Sequence, residues 1–241
     1  MSHKNASKST APVQARGNLP TGSRSHMPPI QAKSNAIQRQ TANNLSGNEQ
    51  KIYQLRAQIR AAAAARNVDE ALVAAILMDE LNRRGPEDAI QDAEARFLIG
   101  YEGVFERVEN TLWDAIPGMD SIQDTSFGSA QMNPSTLTDM VNGGHFDKPA
   151  DWDTDRLDSQ LRTLLNDNLA PALIAGRARQ IIEHWKNNGG ADLTNRPEII
   201  GTLYSIGLQG RSGVHNNPQP NSRGTAIANS MGRMSTILNM P

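Results

Sequence analysis

VDEALVAAILMDELNRRG, residues Val68–Gly85, has the marks of a single helix with an acid near its end. Asp69 suits an N-cap and Glu70 the first turn; Arg83 and Arg84 suit the last turn, and Gly85-Pro86 makes a stop. Wound at 3.6 residues per turn, Leu72, Val73, Ile76 and Leu77 form one stripe, and Glu80 falls inside it. Ala71, Ala74 and Met78 make the opposite side apolar too, the pattern of a helix buried in a core. Two readings of Glu80 follow. The apolar face ends a turn early and the glutamate is solvated, or the helix carries a carboxyl group into the interior. Burial disfavours the charged form and raises the pKa, and an acid still protonated near neutral pH is what general acid catalysis needs.

Composition narrows the classes. The chain has 241 residues and a formal net charge of −1, enough for one core plus a tail and without a global field for nucleic acid. Residues 1–48 hold six of the 24 Lys and Arg and none of the 25 Asp and Glu, which leaves an acidic remainder. Six charges over that length is sparse for an anion-binding arm. Cysteine is absent, which excludes disulfides and thiolate chemistry. No apolar core follows the basic residues of MSHKNASKSTAPVQARGN, and no run approaches the roughly 18 apolar residues of a membrane helix. The expectation is synthesis in the cytoplasm without a signal peptide and without a membrane span.

Working outward from Val68–Gly85, the reading is helical in both directions. Residues 1–46 are rich in Ser, Asn, Gln, Pro and Ala; they lack the apolar surface to offset chain entropy and read as a disordered leader. From Asn48, NEQKIYQLRAQIRAAAAARN places Ile52, Leu55 and Ile59 on one side. Pro86 opens PEDAIQDAEARFLIGYE with Glu87 and Asp88 at its positive end. A helix is expected over Gly103–Ile116, another after Asn133-Pro134 as PSTLTDMVN, then Leu157–Leu165, Leu169–Trp185, Arg196–Ile206 and Ser222–Leu238. Gly207–Asn221 is a long Gly/Pro/Asn loop, a length often tied to function in a compact domain. No period-2 strand and no repeat interrupts the pattern, so the class is all-α.

Several chemistries lack their residues. His3, His26, His145, His184 and His215 are scattered, with no HExxH. Asp151, Asp153 and Asp155 mimic the opening of a calcium loop, but Arg156 stands at the sharp-turn glycine position and Arg162 at the bidentate glutamate position. The aspartates read instead as caps for the following helix, and no metal or cofactor is expected. There is no GxSxG or phosphate loop, and basic residues do not interleave with aromatics. What remains is Glu80 with two later stretches, Asp124–Pro134 (DTSFGSAQMNP) and Ile199–Gly207 (IIGTLYSIG).

In this order and spacing the three pieces resemble the lysozyme-like superfamily of goose-type lysozymes and soluble lytic transglycosylases. VDEALVAAILMDELNR is similar to the family's acid-bearing helix, with Glu80 on the catalytic acid. SFGSAQMNPST is similar to the small-residue turn of the type S-x-G-x-x-Q-x-x-P that lines the sugar groove, with Ser126, Gly128 and Gln131 on the matching positions. Tyr204-Ser205-Ile206-Gly207 resembles the family's Y-N-x-G helix end, with Ser205 in place of asparagine. The resemblance spans roughly Val68 to Met231. The leader, with its QAK and IQRQ patches, resembles those of proteins associated with extracellular contractile injection systems.

The resemblance implies a lysozyme-like helical catalytic domain over residues 47–241, built around a central buried helix and preceded by the basic leader 1–46. It implies cleavage of the β-1,4 glycan strand of peptidoglycan, with Glu80 as general acid and Asp124, or Asp120 four residues earlier, as a second carboxylate. Ser126, Phe127, Gly128, Gln131 and Tyr204 are the expected sugar contacts. The implied partners are peptidoglycan glycan strands and, through the leader, a contractile injection or secretion apparatus, with action on the wall after injection, non-classical export or lysis. A hydrolase yielding a hydrated sugar and a transglycosylase yielding an anhydro-sugar both remain open, as does an inactive structural or plug component of a secretion particle.

Overall fold

The computed structural model describes residues 45–100, 122–150, 152–153 and 156–241. The expected helix over Gly103–Ile116, Asp120, and nearly all of the leader lie outside the described residues, as do Asp151 and Asp155.

Among the described residues nine α-helices occur: α1 Gly47–Gln54, α2 Arg56–Arg66, α3 Glu70–Arg83, α4 Pro86–Gly100, α5 Pro134–Asn142, α6 Leu157–Leu164, α7 Ala170–Asn187, α8 Pro197–Ile206 and α9 Ser222–Leu238. Their β content is one isolated antiparallel bridge, Phe127 to Met132, within a turn. The fold is all-α, as the periodicity predicts.

The caps explain several of the helix starts. The Asp69 side chain accepts from Ala71 N and Leu72 N at 2.7 and 3.3 Å, and Glu70 follows in the first turn of α3. Asn133 caps α5 by accepting from Thr136 N, with Pro134 at the first helical position where its missing N–H costs nothing. Ser46 and Glu49 form a reciprocal capping box at α1, and Leu45 before them is buried in the core. The helical body therefore takes in the last two residues of the segment read as leader. Sequence periodicity predicts one helix from Asn48 to Asn67; the structure breaks it at Leu55 into α1 and α2, which stay nearly continuous through Leu55 N to Lys51 O and Ile59 N to Leu55 O bonds. At α6 the N-cap position is Arg156, whose side chain makes no cap bond.

α3 is the central element. It packs against α1, α2, α7 and α9, and Ala71 through Leu77 are all buried. An apolar side chain buried from water stabilises by about 1.5–3 kcal/mol, so α3 is held from every side rather than by helix propensity. α8 and α9 pack most extensively on each other, and α9 then lies along α3. Their approach depends on Gly224: a Cβ there would sit 2.1 Å from both Glu198 O and Thr202 Oγ1. The close crossing brings the first turn of α9 over the C-terminal end of α3, where Glu80 sits.

Candidate active site

Glu80 is 5% exposed, near the end of α3, with its carboxyl turned into the interior. Arg223, in the first turn of α9, reaches it: Arg223 Nη2 lies 2.7 Å from Glu80 Oε1, while Arg223 Nε donates to Asp79 Oδ2 at 2.6 Å. Asp79 also takes Arg83 Nε at 3.3 and 3.2 Å. Burial pushes the Glu80 carboxyl up from its ordinary 4.5 to about 7, against the opposing charge and hydrogen bond of Arg223, and the neighbouring Asp79 charge adds to the rise. Desolvation outweighs the direct ion pair with Arg223.

A polar cavity of about 350 Å³ opens on Glu80. Ser126 and Gln131 from the turn before α5, Thr136 from α5 itself, Arg177 from α7 and Tyr204 at the end of α8 line it together with Arg223. Ser205 and Gly207 complete the wall where α8 ends, Gly207 adopting φ +95°.

The turn is built for shape. Gly128 has φ +68°, and a Cβ on it would lie 1.9 Å from Leu164 O at the end of α6. Only glycine allows that approach. Gly128 N donates to Asp92 Oδ1 at 2.9 Å; the buried Asp92 carboxylate is itself paired with Arg84, just beyond α3. Ser129 Oγ donates to Asp167 Oδ1, and Lys51 Nζ, from α1, donates to Ser129 Oγ and Asp167 Oδ2, both at 2.9 Å. Partial burial works against the Asp167 carboxylate, but the Ser129 hydroxyl and the Lys51 ammonium outweigh it and hold its pKa below the usual range. Two ionic anchors thus fix the turn to α4, α1 and the start of α7. Gln131 occupies the left-handed region at φ +46° and donates through Nε2 to Gly128 O at 3.0 Å. Tyr204 Oη donates to Ala130 O at 2.8 Å, so the half-buried phenol braces the turn from the opposite wall. Burial and the nearby Glu80 charge raise its pKa well above the ordinary value, so it stays a neutral donor.

Of the residues singled out from sequence, Glu80, Ser126, Gln131 and Tyr204 share the cavity. Phe127 is 2% exposed, and its ring belongs to the core beneath the turn; Gly128 faces Leu164 rather than the cavity. Asp124 is exposed at the start of the turn, where its carbonyl accepts from Asn133 Nδ2 at 3.4 Å, and it is not among the described residues lining the cavity. Arg223 and Arg177 were not singled out, although each carries a signal. Arg223 is a cation in the first turn of a helix, the end whose dipole disfavours it. Arg177 stands three or four residues from buried Leu173, Ile174 and Ile181, on a largely apolar stripe that it shares with Gln180.

No protein-family model, curated protein or solved structure matches this chain. The chemistry of the site follows from its own geometry. That geometry is one buried acid with a pKa near neutrality, an arginine on one of its oxygens, and hydroxyl and amide groups around an open polar cavity. With Arg223 on Oε1, the proton of the neutral acid belongs on Oε2. Such a site is fit to protonate a leaving oxygen. Among the described residues no helix is long and apolar enough to cross a membrane.

Proposed function

We propose that this chain is a lysozyme-like muramidase that cleaves the β-1,4 glycan strand of peptidoglycan, with Glu80 as general acid. The observation that carries the proposal is the cavity: it joins the buried, near-neutral Glu80 to Ser126, Gln131 and Tyr204, three positions that the sequence resemblance assigns to the sugar groove. In this reading Glu80 Oε2 delivers its proton to the departing glycosidic oxygen, and Arg223 holds the carboxyl in place and stabilises the carboxylate left behind. Ser126 and Gln131 meet sugar hydroxyls, and the Tyr204 ring flanks the sugar.

The positive charge developing on the sugar needs a second group. Glu80 is the only carboxylate among the described residues lining the cavity, and Asp79 is held by Arg83 and Arg223. That favours a second reading for the product, a lytic transglycosylase in which the substrate's own hydroxyl closes on the sugar to give an anhydro-muropeptide. Asp124 supplies a hydrolytic route only if it moves to the sugar from its exposed turn. Delivery by a contractile injection or secretion apparatus through the leader rests on the sequence of the leader alone, and its test is particle loading with and without residues 1–46.

Zymography on peptidoglycan tests the activity: wild type clears the gel, and Glu80→Gln, nearly isosteric but unable to give up a proton, does not. An inactive structural or plug component would clear in neither case. Glu80→Gln at near wild-type activity would overturn the acid assignment. Mass spectrometry of the digest then separates the products. Anhydro-muropeptides with Asp124→Asn still active exclude the second carboxylate; a hydrated product lost in Asp124→Asn requires it.

A further inference from the structure

We infer that Arg177 is an anion subsite, which binds a carboxylate carried by the muramyl sugar or its stem peptide; the inference rests on the glycan-cleaving reading above. Arg177 lies in the middle of α7, where the neighbouring turns bury Leu173, Ile174 and Ile181. A guanidinium at such a position is desolvated, and the loss is offset only by a counter-ion or full hydrogen bonding. The other arginines close to this site have a carboxylate: Arg223 has Asp79 and Glu80, Arg83 has Asp79, and Arg84 has Asp92. Arg177 forms no ion pair among the described residues. Its side-chain bond is a single one, from Nη1 to the neutral Gln180 Oε1 at 2.7 Å, and Gln180 is itself buried.

The charges already present do not meet the need. Glu80 is engaged by Arg223, and Asp139, on α5, is exposed to solvent and acts on Arg177 only through its field. The cavity wall thus presents two guanidinium groups to one carboxyl, and that carboxyl is the one with a pKa near neutrality. Tyr204 shares the cavity wall and lies within the field of Glu80, Arg177 and Arg223. A ligand in the cavity would meet both the acid and a cation that has no ion-pair partner among the described residues. Planar guanidinium groups recognise carboxylates through paired N–H donors. On a peptidoglycan strand the carboxylate nearest the glycosidic bonds is the lactyl group of the muramyl sugar, which is free once the stem peptide has been removed and amide-linked while the peptide is present. The stem peptide offers further carboxylates, at greater distance.

The test uses the full chain carrying Glu80→Gln, so that binding is read without cleavage, and isothermal titration with three oligosaccharides of equal length. One contains only N-acetylglucosamine, one alternates it with muramyl sugars bearing free lactyl carboxylates, and one carries stem peptides on those sugars. A charge-assisted bond predicts that a carboxylate-bearing oligomer binds at least about tenfold more tightly than the neutral one. The preference should vanish in Arg177→Gln and survive in part in Arg177→Lys. A preference confined to the free-lactyl oligomer identifies the lactyl group; one confined to the peptide-bearing oligomer identifies a stem carboxylate. Equal binding of all three, or a preference that persists in Arg177→Gln, overturns the subsite while leaving the glycan reading intact. If none of the oligosaccharides binds, the glycan reading fails and the subsite falls with it.

Discussion

Protonation of Glu80 should be visible in stability before any substrate is added. Its carboxyl is 5% exposed, and burial lifts its pKa from 4.5 to about 7. The folded state therefore holds a proton that the unfolded chain has released through most of that interval. Stability changes with pH as the difference in protons bound, about 1.4 kcal/mol per pH unit for one proton. Between pH 4.5 and 7 the folded state binds the extra proton, so this group's contribution to stability is fully present below the lower value and is lost as pH rises through the upper one. The total is about 3 kcal/mol. Glu80→Gln replaces the neutral acid with a near-isostere that cannot ionise. It should match wild type near pH 4 and exceed it by about 3 kcal/mol at pH 8, roughly 6–12 °C in Tm for a body of this size. Urea denaturation of both proteins from pH 4 to 9 reads the difference directly. Under the proposed function the same titration should set the alkaline limb of the pH–rate profile near 7, because the ionised carboxyl has no proton to give. Two curves that run parallel at all pH values, or a variant less stable than wild type at pH 8, would show that Arg223 stabilises the ionised form more than burial opposes it. Glu80 would then be an ordinary paired carboxylate and lose its claim to be the acid.

Other perturbations probe the supports of the site. Arg223→Gln removes the cation that opposes burial, so the Glu80 pKa should move further up, read by NMR titration of the carboxyl and by a shift of the alkaline limb to higher pH. Gly128→Ala places a methyl against Leu164 O and strains a φ of +68°, and should destabilise by more than about 1 kcal/mol in chemical denaturation. Asp92→Ala leaves Arg84 unpaired and Gly128 N without its acceptor; it should cost about 3 kcal/mol, with glycan cleavage lost at temperatures where the body is still folded. Removing residues 1–44 should leave Tm unchanged, whereas a further cut past Leu45 and Ser46 should lower it, because that cut takes a buried leucine and a capping box.

The helices were legible because their signals are local. Asp69 before α3, Asn133-Pro134 before α5 and Asn221 before α9 act within one turn of chain, and a cap is a contact between residues two or three apart. For Glu80 the helix pattern leaves two readings, a solvated end of the apolar face or a buried carboxyl, and the structure gives the buried one. The Leu55 break in the first helical stretch was not legible. Leu55 fits the apolar stripe and forms helices well, and the break is a change of backbone angle, ψ +5°, with hydrogen bonds retained on both sides.

The site was legible only in part, and the division follows contact range. Glu80, Ser126, Gln131 and Tyr204 lie in stretches whose residue order carries a resemblance. The charges that tune them come from elsewhere. Arg223 meets Asp79 across 144 positions, and Lys51 meets Asp167 across 116. No spacing rule connects such pairs; the α8–α9 crossing at Gly224 creates the first, and the seat of the turn creates the second. The turn shows the same limit from the other side. The order SFGSAQ carries the resemblance, but which of its atoms face the cavity depends on Leu164 O beneath Gly128, on the core around Phe127 and on the Asp92 carboxylate that takes the Gly128 amide. The resemblance makes Phe127 an expected sugar contact because it lies within the SFGSAQ turn. Packing instead gives that ring to the core, while Tyr204, braced on Ala130 O, lines the cavity. Arg177 had a readable anomaly, a cation on a largely apolar stripe, which acquires meaning only when the structure shows that no carboxylate among the described residues answers it.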